Sequence, residues 1–325
     1  MRLRRYRHLL IYLIFAYILF FVICFREKLQ LTTTRSPSVT TSDTPTSKAQ
    51  IIRSELIFNA STRYQLDLSN CWTDLDYQQW KDGKYFPASK PKGNIVYMVQ
   101  TGEKNLRTRC DIMMCTFGVT LHPSRLFFVG ETPSDSRLPV YDVVEPNTPR
   151  PVDRKGSMQK VAQGLDMIVN KLREGDYNNE IEWIMVMDDD TFISPPNLNL
   201  LAAEYDSQRP VMIGQHTCKV GFCGGGGYLI SRALFVQLPA FVKKCRPHDE
   251  LWDSDQFVPD CIRRKVQVEL IDRKEFNSQN PEFYSTPLGL QDHPNGFGRA
   301  VTFHYMKTPM KYVNLWRLHQ AYMRE

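Results

Sequence analysis

Ile181-Glu182-Trp183-Ile184-Met185-Val186-Met187 runs directly into Asp188-Asp189-Asp190, then Thr191-Phe192-Ile193. The apolar part is short and continuous, with no charge beyond Glu182. That pattern suits a strand buried on both faces of a parallel sheet. Asn94 to Gln100 (Asn-Ile-Val-Tyr-Met-Val-Gln) and Arg125 to Gly130 (Arg-Leu-Phe-Phe-Val-Gly) read the same way. Between these strands Arg109 to Phe117 reads as a helix ending near Gly118. Gly156 to Arg173 is helical, with Val161, Leu165, Ile168 and Leu172 spaced by three and four. Alternating strands and helices predict an α/β fold, a mostly parallel sheet with helices on both faces. In such sheets ligands bind beyond the C-terminal strand ends, where the three aspartates stand.

Three adjacent carboxylates after a buried strand repel one another, and burial raises their pKa values unless a cation or donors compensate. In extended backbone Asp188 and Asp190 point one way and Asp189 the other. Two carboxylates on one side can hold Mg²⁺ or Mn²⁺ when phosphate oxygens and water complete the shell. A metal held there would join the protein to a diphosphate. A calcium or structural site and a plain solvated acidic turn are the competing readings.

Gly224 to Gly227 offers close backbone approach and unusual dihedrals. We expect it, Gly225 and Gly226 in particular, to line a cleft. A tight turn is the plainer alternative. No Gly-Lys-Ser/Thr follows, so it is not a P-loop. Arg109 and Lys160 are candidates for a nucleotide or diphosphate, or else surface charges on their helices. Trp252 suits sugar stacking or core packing alike.

The N-terminus carries Arg2, Arg4, Arg5 and Arg7 before an uncharged apolar run from Leu9 to Phe25. At about 1.5 Å per residue the run covers about 26 Å, enough for a thin membrane. Arg26-Glu27-Lys28 follows, and no Ala-x-Ala-like site marks cleavage. The expected organisation is therefore a cytoplasmic tail (1–8), a bilayer anchor (9–25), a luminal stem (26–90) and a luminal domain (91–325), single-pass and type II. The Thr, Ser and Pro of residues 31–48 cannot bury enough apolar surface to order themselves. Asn59-Ala60-Ser61 is a glycosylation sequon if this side is luminal.

The formal charge is +6, much of it in the tail, and the remaining Lys and Arg are dispersed among acids. That argues against nucleic acid as a partner. Eight cysteines are present, one of them within the anchor, and an oxidising lumen would let the others pair. No Cys-x2-Cys zinc spacing occurs. Spacing does not fix connectivity; Cys218–Cys223 and Cys245–Cys261 are the pairings we expect, with at least one luminal thiol left over. A homo-oligomer stays open.

Five blocks together resemble the fringe-like β1,3-glycosyltransferases, the family that includes the core-1 galactosyltransferases. Thr108-Arg109-Cys110-Asp111-Ile112-Met113-Met114-Cys115-Thr116-Phe117-Gly118 is similar to its Thr-Arg … Thr-Trp helix, with Phe117 for the usual Trp. Trp183 to Phe192 resembles its strand and triple-Asp motif, and Cys223 to Arg232 its Gly-rich segment. Asp253-Ser254-Asp255 stands where the family has two adjacent acids, and Phe303-His304 resembles its late Phe-His. The resemblance covers about Lys92 to Met306. It implies a GT-A fold, a UDP-sugar donor, Mn²⁺ (or Mg²⁺), inversion at the anomeric carbon, and a type II protein of the Golgi or endoplasmic reticulum. It implies a glycoprotein or glycolipid acceptor. Asp190 and His304 would be metal ligands, with Asp188 helping through ribose or a metal-bound water, and Asp189 beside them at the nucleotide. Asp255 would be the general base, with Asp253 the close alternative because Ser254 splits the pair; Asp249 and Glu250 are remoter. That split also leaves open a non-catalytic relative, a luminal chaperone or glycan-binding protein. A metal-dependent hydrolase would need a richer His/Asp set.

Overall fold

In the computed structural model the described residues are 71–131, 136–143, 154–175, 180–216, 220–223, 225–245, 254–284 and 297–322. The expected anchor, Asn59, Cys218, Gly224, Asp249, Glu250, Trp252 and Asp253 lie outside them. Among the described residues no helix is long and apolar enough to cross a membrane.

The three apolar runs form strands β1 (Ile95–Gln100), β2 (Leu126–Gly130) and β4 (Trp183–Asp188). β1 lies between the other two and is parallel to both, with Gln100 opposite Asp188. β3 (Val140–Asp142) extends the β2 edge. Beyond β4 come β7 (Tyr228–Ser231), β6 (Val211–Gly214) and β8 (Glu269–Asp272). Among the described residues the sheet therefore has seven strands in the order β3-β2-β1-β4-β7-β6-β8. β7 runs antiparallel to both its neighbours, while β6 and β8 pair in parallel. The chain leaves β1 toward β2 and β3, then returns to the other side of β1 as β4. That reversal opens a crevice at the C-terminal ends of β1 and β4.

Alternation along the strands divides the core into two layers. Tyr97, Val99, Trp183, Met185 and Met187 face one side, and Val96, Met98, Ile184 and Val186 the other. The second side is covered by α3 (Arg154–Glu174) through Val161, Leu165, Ile168 and Leu172, and by α6 (Ser254–Lys265) through Phe257, Val258 and Ile262. The first side receives α2 (Asp111–Cys115), α4 (Pro195–Ala202) and α7 (Pro309–Tyr322). The short α5 (Arg232–Phe235) follows β7.

Within the expected stem, Cys71, Trp72, Tyr77 and Trp80 are instead packed into the first layer. Helix α1 (Asp74–Lys81) starts at Thr73, whose side chain and that of Asp76 form a capping box. Trp72 and Trp80 are buried edge to face with centroids 6.4 Å apart. The Trp80 indole donates to the Leu121 carbonyl at 3.0 Å and that of Trp72 to the Arg137 carbonyl at 3.1 Å. A disulfide ties Cys71 to Cys115 in α2. The packed unit thus reaches back at least to Cys71. Cys245 pairs with Cys261 as expected. Cys223 is also disulfide-bonded, and its expected partner Cys218 lies outside the described residues. Cys110 is a buried free thiol.

A second sheet is built from three two-residue strands, β5 (Phe192–Ile193), β10 (Thr302–Phe303) and β9 (Phe276–Asn277). Thr302 pairs with Ile193 and Phe303 with Phe192, antiparallel. That pairing places His304 beside the aspartates.

Candidate metal and nucleotide site

β4 ends at Asp188, and the backbone then turns, with the Thr191 amide donating to the Asp188 carbonyl at 3.1 Å. The turn, rather than strand alternation, sends Asp189 away from its two neighbours. Asp189 is buried and its carboxylate is fully engaged. It accepts from Thr101 Oγ1 at 2.8 Å, Asn105 Nδ2 at 2.8 Å and Arg109 at 2.6 Å. Burial raises the Asp189 carboxyl even so, against the pull of Arg109 and Thr101. Its role is to hold the β1 exit against the β4 exit. Arg109 sits in a π-helical turn, Leu106–Cys110, that precedes α2. Such turns recur at functional sites because they re-aim a side chain within a helix.

Asp190 faces His304, with Nε2 to Oδ1 at 3.0 Å, and Asp188 lies 3.9 Å from the same nitrogen. One donor atom from each of these three residues lies within 4.8 Å of the others. Two carboxylates and an imidazole suit a divalent ion of the Mn²⁺ or Mg²⁺ kind, so the residues present fit the expected metal. Burial pushes the Asp190 carboxyl up, but His304, Arg109 and Lys307 outweigh it and hold it below its usual range. For His304 burial acts downward, yet the bond and charge of Asp190 raise it. Asp188 is partly exposed, and its carboxyl is pushed up by desolvation and by the carboxylates of Asp255, Asp190 and Asp189, against His304. A divalent cation would relieve that repulsion.

The trio forms one wall of a cleft of about 920 Å³. Arg109, Lys160, Gln100, Glu131 and Tyr305 also line it. Lys160 reaches from α3 to the Glu131 carboxylate at 2.7 Å and to the Thr101 carbonyl at 3.3 Å. The structure therefore brings Arg109, Lys160, Asp188, Asp189, Asp190 and His304 into one cleft.

Gly225 and Gly226 do not line it; they support it from behind. Gly225 has φ of +69°, and a Cβ there would lie 2.3 Å from the His304 ring. Its carbonyl accepts from Thr191 Oγ1 at 2.6 Å, and that of Gly226 from Thr302 Oγ1 at 2.6 Å. Asp255 is buried in the first turn of α6 and accepts from the Gly225 amide at 2.7 Å. It is close enough to Asp188 and His304 to bias both. Sequence reading missed Thr101, Asn105 and Glu131. Their signal was position alone: Thr101 and Glu131 each follow directly on a strand of the crevice.

A switch-point crevice with an acid–imidazole corner defines a GT-A-like α/β architecture. The chain belongs to the Fringe-like family, whose model matches residues 91–324. It is 26% identical over 193 residues to the beta-1,3-glucosyltransferase of Mus musculus, covering 56% of this chain and 35% of that one. It is 25% identical over 257 residues to chondroitin sulfate synthase 3 of Homo sapiens, covering 73% and 28%. The chain thus spans about a third of the length of these curated relatives. A crystal structure of a glycosyltransferase involved in the glycosylation of the major capsid of PBCV-1 overlaps 69% of this chain and 98% of its own. That overlap has 11% identity and a TM-score of 0.40, too distant to add to the sequence relationship.

Proposed function

We propose that the protein is a metal-dependent inverting glycosyltransferase, moving a hexose or N-acetylhexosamine from a UDP-sugar to a glycoprotein or glycolipid acceptor through a β1,3 linkage. The observation that carries this is the Asp188–Asp190–His304 corner on the wall of a cleft that also holds Arg109 and Lys160. The names of the relatives, a β1,3-glucosyltransferase and a chondroitin sulfate synthase, support the reaction class. When bound, Mn²⁺ or Mg²⁺ would neutralise charge on the leaving diphosphate.

The chain's own residues do the rest. Asp190 and His304 hold the metal, and Asp188 assists from the end of β4. Asp189 does not ligate; it fixes Arg109 and the β1 exit. Arg109 and Lys160 present positive charge along the cleft for the nucleotide diphosphate. Inversion by direct displacement requires a base at the acceptor hydroxyl, on the face opposite the leaving group. We assign it to Asp255, which the Gly225 amide holds in place at 2.7 Å. Asp253 is the alternative. The apolar run at 9–25 and the sequon at Asn59 fit a type II protein of the Golgi or endoplasmic reticulum.

The test is UDP release by the full chain from a panel of UDP-sugars with Mn²⁺, with and without galactosyl and N-acetylgalactosaminyl acceptors. Turnover with one donor, abolished in Asp190→Ala, supports the proposal. UDP binding with Mn²⁺ but no turnover with any acceptor shifts the reading to a non-catalytic relative. Asp255→Asn and Asp253→Asn then separate the two base candidates by which one stops turnover while leaving UDP binding intact.

A further inference from the structure

Metal-ligating histidines normally fix their ring by donating the far N–H to a carboxylate, carbonyl or water. His304 lacks that device: its Nδ1 is buried and has no hydrogen-bond partner among the described residues. The ring is held instead by what lies against it. On one side is Gly225, where even a Cβ would collide. Tyr305 also lies against it, its ring tilted, with ring centroids 4.0 Å apart and planes at 32°.

Tyr305 reaches that place through an unusual backbone. Its φ is +58°, and among the described residues no other non-glycine residue has positive φ. The conformation is enforced from both ends. The His304 amide donates to the Asn277 carbonyl at 3.1 Å, and the Met306 amide to the Asp190 carbonyl at 2.9 Å. Strain of this kind persists only where neighbours over-determine it, and it gathers at functional sites. A glycine would satisfy the backbone without strain, so the tyrosine ring is what the position retains at that cost. Lys307 lies over the Tyr305 ring at 4.8 Å, adding a cation–π contact to the column.

We propose that Tyr305 is a positioning residue for the metal site. Its ring, folded back by left-handed backbone, does the work of the hydrogen bond that no described residue makes to Nδ1, and aims His304 Nε2 at the corner shared with Asp188 and Asp190. The inference rests on the metal reading of that corner.

The test uses the full chain with Tyr305→Gly and Tyr305→Phe. Mn²⁺ affinity in the presence of UDP is read from the electron paramagnetic resonance signal of free Mn²⁺, and the melting temperature is read without metal. Tyr305→Phe keeps the ring contact and is expected to bind within about twofold of wild type. Tyr305→Gly relieves the backbone, so its metal-free melting temperature stays level or rises, while Mn²⁺ affinity falls roughly tenfold or more. A purely structural role would move both readings together. If wild type binds Mn²⁺ and Tyr305→Gly binds equally well, the inference is overturned and the metal site stands. Equal losses in Phe and Gly variants overturn it too, since the ring contact would then not be the cause. If wild type binds no Mn²⁺, the metal reading falls and takes this inference with it.

Discussion

Arg109 meets Asp189 at 2.6 Å but stands 3.6 Å from Asp190, so adjacent aspartates have different partners. One is consumed by the protein; the other remains available to a cation. The triplet therefore sets one internally bound carboxylate between two that, with His304, could hold a metal ion, and the two kinds should respond differently to mutation.

Asp189→Ala leaves the Arg109, Thr101 and Asn105 donors without their shared acceptor. With Arg109 still a quarter exposed, the expected cost is about 2–4 kcal/mol, a melting shift of roughly 5–15 °C. Asp190→Ala should change the metal-free melting temperature less. It should instead abolish the rise on adding Mn²⁺, which is about 2.7 kcal/mol at a hundred times Kd. Thermal melts of both variants with and without Mn²⁺ check the contrast.

Gly225→Ala places a methyl carbon against the His304 ring and puts a side chain at positive φ. We expect at least a tenfold loss of Mn²⁺ affinity and about 1–3 kcal/mol of stability. Gly226→Ala, where the nearest atom is 3.1 Å from the added carbon, should be milder on both counts.

His319 provides a pH test remote from the cleft. It is buried on α7 with Nε2 against Ser194 Oγ and, among the described residues, no partner for Nδ1. Burial lowers its pKa to about 4, from an ordinary 6.5. The folded state thus binds the proton less readily than the unfolded state. Its contribution is complete above pH 6.5 and is lost as pH falls toward 4. Between pH 7.5 and 5 wild type should lose about 2 kcal/mol more than His319→Gln. Denaturant titrations at both pH values measure the difference.

Trp80→Ala should cost about 3–5 kcal/mol and Cys71→Ser about 2–4 kcal/mol. A chain beginning at residue 91 would lack both features and should fail to melt cooperatively. A chain beginning at residue 69 should keep the transition. Fragment melts under oxidising conditions decide where the domain starts.

The main sheet was legible because β1, β2 and β4 are uninterrupted apolar runs, and α3 because its apolar residues keep helical spacing. Asp189 parts from Asp188 and Asp190 as expected for extended backbone, though a turn after Asp188 is what sends it away. Helix α1 was hidden in a polar stretch where Trp72, Trp80 and Phe86 carry the burial. Strands β5, β9 and β10 are two residues each, too short for any period to appear. The site's supports were hidden for a related reason: Thr101, Asn105 and Gly225 act through contacts across the chain, which local pattern does not encode. The Gly-rich segment was recognised as special, but its work is to make room for His304.

His304 follows β10, and every strand of the seven-stranded sheet precedes it in the chain. During synthesis the sheet residues, Asp188 and Asp190 emerge first, with the imidazole still to come. A product cut short after β8 would carry the seven strands without His304 or the part of the first layer that follows β8. The three atoms that could hold a metal ion can therefore come together only once the chain has been made past β10.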